Sequence, residues 1–144
     1  MPLNPEMVGL RRGPLRSTWD SKDAILYALG VGAGTDDLQF TTENTQGVAQ
    51  QALPSMAVVL SRSDALDHVG SFDWTQLVHA SQEIEVHRRL PVTGAVDNTT
   101  TVTGIYDKGS AAIVTMETVG SDPATEEPSY TTRASAFIRG AGGW

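Results

Sequence analysis

The stretch from Leu77 to Gly109 limits what this chain can fold into more tightly than any other. The run Leu77-Val78-His79-Ala80-Ser81-Gln82-Glu83-Ile84-Glu85-Val86-His87 alternates over its second half, with Ile84 and Val86 to one side and Glu83, Glu85 and His87 to the other. A period of two with one apolar side is the pattern of a strand half-buried in a sheet. Arg88 to Gly94, containing Leu90-Pro91, turns the chain into a Thr-rich strand over Ala95–Tyr106. Asp107-Lys108-Gly109-Ser110 then reads as a tight hairpin turn, because Asp and Gly tolerate the backbone angles such turns need. Two further strands follow at Ala111–Val119 and Tyr130–Arg139, separated by an acidic, Pro-containing loop from Gly120 to Ser129.

Upstream, Met1 to Arg16 is punctuated by Pro and Gly and reads as a surface segment, with Leu15–Thr18 a possible first strand. A short helix is expected from Ser21, whose hydroxyl suits an N-cap, with Asp23 in the first turn and Ile25, Leu26 and Leu29 as its apolar stripe. Gly30 supplies the stop. The glycines of Gly30-Val31-Gly32-Ala33-Gly34 follow this helix rather than precede one, so they do not read as a phosphate cradle. Thr35 to Gln51 reads as an irregular loop long enough to be functional. Leu53–Leu60, opened by Pro54, is ambiguous between helix and strand, and Ser61 to Trp74 reads as a second mobile stretch. One helix followed by a run of antiparallel strands is an α+β pattern.

Composition removes several classes of function. The 144 residues suffice for one domain with a real core, since a domain of this size buries about 70% of its unfolded surface. The absence of cysteine excludes a disulfide framework, a thiolate metal site and a Cys nucleophile, and fits a cytoplasmic location. Met1-Pro2-Leu3-Asn4-Pro5-Glu6 has neither the basic nor the apolar region of a signal peptide, and no apolar run approaches membrane-spanning length. The Asn98-Thr99-Thr100 sequon reads as idle. A formal charge of −7 argues against general nucleic-acid binding, and any polyanionic ligand would depend on the ten Lys and Arg residues. His68 and His87 lack partners at metal-ligand spacing, so no metal site is expected. Asp64, Asp67 and His68 make only a loose catalytic cluster, and Ser61 and Ser63 lack the strand-elbow-helix setting of a serine nucleophile.

The block from Leu77 to Gly109 resembles the N-terminal half of the (3R)-specific, type 2 enoyl-CoA hydratases of the MaoC-like family. The family pattern there is roughly L-x-H-G-E-Q, an extended strand, L-P, a turn, then D-K-G. The similarity extends to Trp19–Gly34 as the opening helix with its glycine-rich exit, to Phe40–Asn44, to Leu53-Pro54, and to the closing Ala136-Phe137-Ile138-Arg139-Gly140. It covers nearly the whole chain and implies one N-terminal hot-dog domain over residues 1–144: an antiparallel sheet packed on a short helix. In single-domain relatives a long central helix belongs near Leu53–Leu60, and in N-terminal repeats it is often shortened or absent.

The family's acid/base segment, D-x-N-P-[LI]-H, is missing: Asn44 precedes Thr45 and Asn98 precedes Thr99. The resemblance therefore implies a half-enzyme with no catalytic residue of its own. Its substrate would be a trans-2-enoyl-CoA, with no cofactor beyond that CoA thioester. His79, Ala80 and Lys108 would contact the acyl-CoA, although Ala80 stands where the family has Gly and Ser81 where it has Glu. The partner would be a catalytic MaoC-like hot-dog subunit carrying D-x-N-P-L-H, either a separate chain or a C-terminal half, in a heterodimer or a dimer of heterodimers. Two other readings remain open: a homodimeric hot-dog thioesterase using Glu43 or Asp64, and a catalytically dead acyl-CoA-binding scaffold.

Overall fold

The structure, a computed structural model, describes residues 3–144. Five strands form one antiparallel sheet: β1 (Arg11–Trp19), β2 (Leu77–Val86), β3 (Gly94–Asp107), β4 (Ala111–Ser121) and β5 (Pro128–Arg139), in the order β1-β3-β4-β5-β2. The four downstream strands stand where the alternation and turn signals place them. β1 is longer than Leu15–Thr18, because a bulge at Gly13-Pro14 lets the strand resume pairing on its far side. Proline is tolerated there because an edge strand leaves half its N–H groups unpaired.

The helical parts are short: α1 (Ser21–Gly30), α2 (Leu38–Thr41) and α3 (Ala57–Leu60), with 3₁₀ turns at Pro5–Met7, Pro54–Met56, Ala65–His68 and Trp74–Gln76. The N-cap of α1 is Asp20, not Ser21. Asp20 accepts the Asp23 N–H while Asp23 accepts the Asp20 N–H, a reciprocal capping box, and the Ser21 hydroxyl instead donates to Gln50. The buried side of α1 is Ala24 and Ala28, whose small side chains permit close approach to the sheet, whereas Leu26 is 65% exposed and Leu29 is exposed beside it. Ala33 N–H bonds the Ala28 carbonyl and Gly32 N–H the Leu29 carbonyl, so the glycine-rich exit is spent on closing the helix.

The Leu53–Leu60 ambiguity resolves to a 3₁₀ turn at Pro54–Met56 running into the single turn of α3, a much shortened central helix. The stretch from Ser61 to Trp74 is anchored rather than loose. Ala65 and Val69 are fully buried, Gly70 pairs with Leu3, and Asn4 N–H bonds the Val69 carbonyl. Leu3 is also a core residue, which corrects the surface reading of the N-terminal segment; Met1 and Pro2 lie outside the described residues.

One side of the sheet holds two apolar clusters. One gathers Val102, Ile105, Val114 and Ile138 with Ala65 and Val69; the other gathers Trp19, Met56, Leu60, Val96 and Tyr130 with Ala24. Hydrogen-bonded pairs lie on the same side of the sheet, Thr100 with Thr118 and Ser61 with Thr132. Among the described residues no helix is long and apolar enough to cross a membrane.

Candidate acyl-CoA site

Cross-strand register brings the expected site residues to one end of the sheet. Leu77 pairs with Ile138, Ile138 with Ala112, and Ala112 with Asp107, so the start of β2 and the β3–β4 turn share that end. His79 sits two rows further in, opposite Ala136. Two strands, β4 and β5, lie between β2 and β3. At about 4.8 Å per strand, β2 and β3 stand roughly 14 Å apart, so an extended ligand is needed to touch both ends of the row.

Ala80 is the extra residue of a bulge: pairing with β5 shifts between His79 and Ser81. A bulge leaves backbone groups outside the ladder and re-aims the side chains around it. Here it puts His79 and Gln82 on one face, where an imidazole nitrogen meets Gln82 Oε1 at 3.0 Å. His79, Ala80 and Gln82 are all exposed, and β2 has no neighbour on its outer side. Gln82 was not singled out from the sequence. The bulge that brings it beside His79 carries no signal in residue type.

The turn bearing Lys108 is held from two sides. Asp107 Oδ1 accepts the N–H groups of Gly109 and Gly143, which hold its carboxyl below the usual carboxylate range. Gly109 takes φ +76°, a left-handed conformation suited to glycine. The Lys108 ammonium rests 5.8 Å from the Tyr106 ring centre. That contact is weak at an exposed site, about 0.5–1 kcal/mol, and leaves the lysine free to move to an anion.

Elsewhere the other candidates have structural employment. The Arg12 guanidinium grips Asp64 at 2.8 and 3.1 Å and holds its carboxyl below the usual range, with His68 3.7 Å away. A carboxylate so stabilised is a weak base. Ser61 donates to the Ala57 carbonyl and meets Thr132, and Ser63 accepts the Ala65 N–H. Arg88 and Arg89 fall at the opposite sheet end, with Arg88 bound to Glu127 and the Ser129 hydroxyl. Glu43 lines a shallow surface groove with Asp20, Lys22 and Thr93. Asn98 of the sequon is 1% exposed, which puts it beyond any modifying enzyme. Among the described residues no cluster of three or more His, Asp or Glu side chains could hold a metal.

On the face of the sheet away from the apolar clusters a cavity of about 550 Å³ is lined by Glu83, Glu117, Arg133, Thr103 and Thr115. Its charges are mutually satisfied: Arg133 bonds Glu117 at 2.9 Å and Glu83 at 2.6 Å.

Comparison with known proteins bears on the family and the fold. The chain is 40% identical to 3-hydroxyacyl-thioester dehydratase Y of Mycobacterium tuberculosis, over all of this chain and 51% of that protein. It is 34% identical to the peroxisomal enoyl-CoA hydratase 2 of Arabidopsis thaliana, over 90% of this chain and 45% of that protein. The crystal structure of a MaoC-like dehydratase from Phytophthora capsici superposes with a TM-score of 0.81 at 26% identity, covering 99% of this chain and 52% of that one. The chain thus spans about half the length of the relatives it matches. Residues 17–140 match the MFE-2 hydratase 2 N-terminal domain, and the chain therefore belongs to that family, with a MaoC-like hot-dog fold.

Proposed function

We propose that residues 1–144 form the non-catalytic, acyl-CoA-binding half of a (3R)-enoyl-CoA hydratase, completed by a second hot-dog that carries D-x-N-P-L-H. In the reaction the oxygen of water bonds to C3 of a trans-2-enoyl-CoA and a proton is delivered to C2, giving the (3R)-3-hydroxyacyl-CoA. That chemistry needs a base for the water and stabilisation of negative charge on the thioester oxygen. The observation that carries the reading is the lack of any D-x-N-P-[LI]-H run in a chain that matches a hydratase domain over residues 17–140. The His–carboxylate pairs present do not substitute for it. Asp64–His68 is tied to Arg12, and His87–Glu85 lies at the sheet end away from His79. Binding to Arg12 also counts against Asp64 as the base of a thioesterase.

The two sheet edges differ in a way that favours a partner on β2. Both edges carry a bulge, but β1 adds Pro14 and three arginines, devices that discourage strand pairing, whereas β2 carries no proline and leaves Val78 to Glu83 exposed. A partner hot-dog continuing the sheet at β2 would meet His79, Ala80 and Gln82 directly, and with Lys108 they would contact the acyl-CoA. No other cofactor is needed.

The isolated chain is expected to leave crotonyl-CoA unhydrated at ordinary enzyme rates, and activity is expected to return on mixing with a D-x-N-P-L-H subunit, since losing a catalytic pair costs several orders of magnitude. The spectrophotometric loss of the enoyl-thioester double bond measures both. Rapid turnover by the chain alone would end this reading.

A further inference from the structure

The sheet end that carries Lys108 holds a second cation, Arg139, beside a groove. We propose that Arg139 and Lys108 together grip the phosphates of the 3′-phospho-ADP end of coenzyme A, with its adenine in the groove against Phe72. This rests on the acyl-CoA reading above and extends it to the far end of the ligand.

Backbone pairing brings the two residues close together. Arg139 pairs with Ala111, the Ala111 carbonyl accepts the Lys108 N–H at 2.8 Å, and Gly140 N–H bonds the Ser110 carbonyl. A Cβ added at Gly142 would overlap the Ala111 and Gly109 carbonyls, so the Gly140–Gly143 strap lies directly on the hairpin. The ion pairs of the described residues take Arg12, Arg16, Arg88 and Arg133, and neither Lys108 nor Arg139 enters any of them. Asp107 and Asp73 nearby stay ionised, bonded to the neutral donors of Gly109, Gly143 and Thr75, but neither forms an ion pair with Lys108 or Arg139.

The groove, about 430 Å³, is lined by Phe72, Asp73, Gln76 and Arg139 and by the backbone of the glycine strap. Phe72 packs against Trp74 with ring centres 4.7 Å apart, and Trp74 is exposed. An aromatic surface beside a cation suits a purine nucleotide, since every base offers a π-face and the phosphates need positive charge. The need is acute in a chain of net charge −7, where the mean field repels a polyanion and local cations must supply the attraction.

The test uses the assembled hydratase with two substrates, crotonyl-CoA and crotonyl-pantetheine, which lacks the nucleotide. Arg139→Ala and Lys108→Ala should each raise KM for crotonyl-CoA about tenfold at low salt, the size expected for a lost charge-assisted bond. Arg139→Ala should leave crotonyl-pantetheine unchanged, and Arg139→Lys should recover part of the loss. Adenosine 3′,5′-bisphosphate should bind the unmodified assembly in calorimetry and lose affinity in the double variant. Equal KM shifts on both esters, or none on either, would overturn the anchor while leaving the hydratase reading intact. No turnover of either ester by the unmodified assembly would instead bring down the hydratase reading, with bisphosphate binding still deciding the anchor.

Discussion

Tyr130 and Asn98 form a buried polar knot beside the cluster that holds Trp19 and Leu60. The Tyr130 hydroxyl donates to Asn98 Oδ1, while Asn98 Nδ2 donates to the Leu15 and Leu60 carbonyls and to the Ser17 hydroxyl. Four separate segments are tied at one buried point. Tyr130→Phe leaves Asn98 Oδ1 without that donor, and the expected cost is about 1–3 kcal/mol. It should be read as a lower denaturation midpoint with unchanged slope. Burial also pushes the Tyr130 hydroxyl up to about 12, above an unfolded value of roughly 10. Between these values the unfolded chain binds fewer protons, so stability falls as pH rises above about 10. Tyr130→Phe should flatten that alkaline loss in pH-dependent melts. Asp64 and Asp97 act in the opposite sense. Hydrogen bonds from Arg12 and Arg16 hold both below the ordinary range, so their contribution is present above about pH 4 and fades as pH falls through the lowered values. Both pairs are solvent-screened surface pairs, and Asp97→Asn should leave the denaturation midpoint at neutral pH almost unchanged.

At the scale of elements, the edge strand β2 is held by side chains as well as by its ladder. Arg133 of β5 reaches Glu83 on one neighbour and Glu117 of β4 on the other, a cross-strand bridge spanning three strands. The alternation of Glu83, Ile84, Glu85 and Val86 made this face legible in the sequence, because a strand has only two sides. The helix α1 was less legible. Its apolar spacing named Ile25, Leu26 and Leu29, whereas packing selected Ala24 and Ala28. A helix can rotate to present small residues where the sheet leaves little depth, and a stripe of residue types does not encode that depth. The glycine strap gives a sharper prediction. Gly142→Ala places a methyl group on the Gly109 and Ala111 carbonyls and should displace the hairpin that carries Lys108. Hydrogen exchange at the Lys108 and Gly143 amides should speed up while the amides of the Asn98 region stay protected.

For the whole molecule, the consequence of the topology is an unequal pair of edges on a sheet whose central helix, α3, is a single turn. A partner on β2 would cover the exposed stretch from Val78 to Glu83 and close the site around His79. Mixed with a catalytic hot-dog subunit, the chain should run in light scattering as a heterodimer or a dimer of heterodimers, and self-associate only weakly alone. The β2 amides facing away from β5 should become protected in the complex. A chain that stays monomeric beside every such subunit would move weight to the scaffold reading.

The sequence by itself determined the strand order in the chain, the hairpin at Asp107–Ser110 and the missing acid/base segment. Each is local: alternation, turn chemistry and motif are all carried by neighbouring residues. The tertiary structure alone decided that Ala80 is a bulge, that Gln82 stands beside His79, that Asp64 belongs to Arg12, and that Arg139 comes to Lys108. Each of these depends on which strands pair and in what register, a balance among segments tens of residues apart, and residue type alone leaves it open.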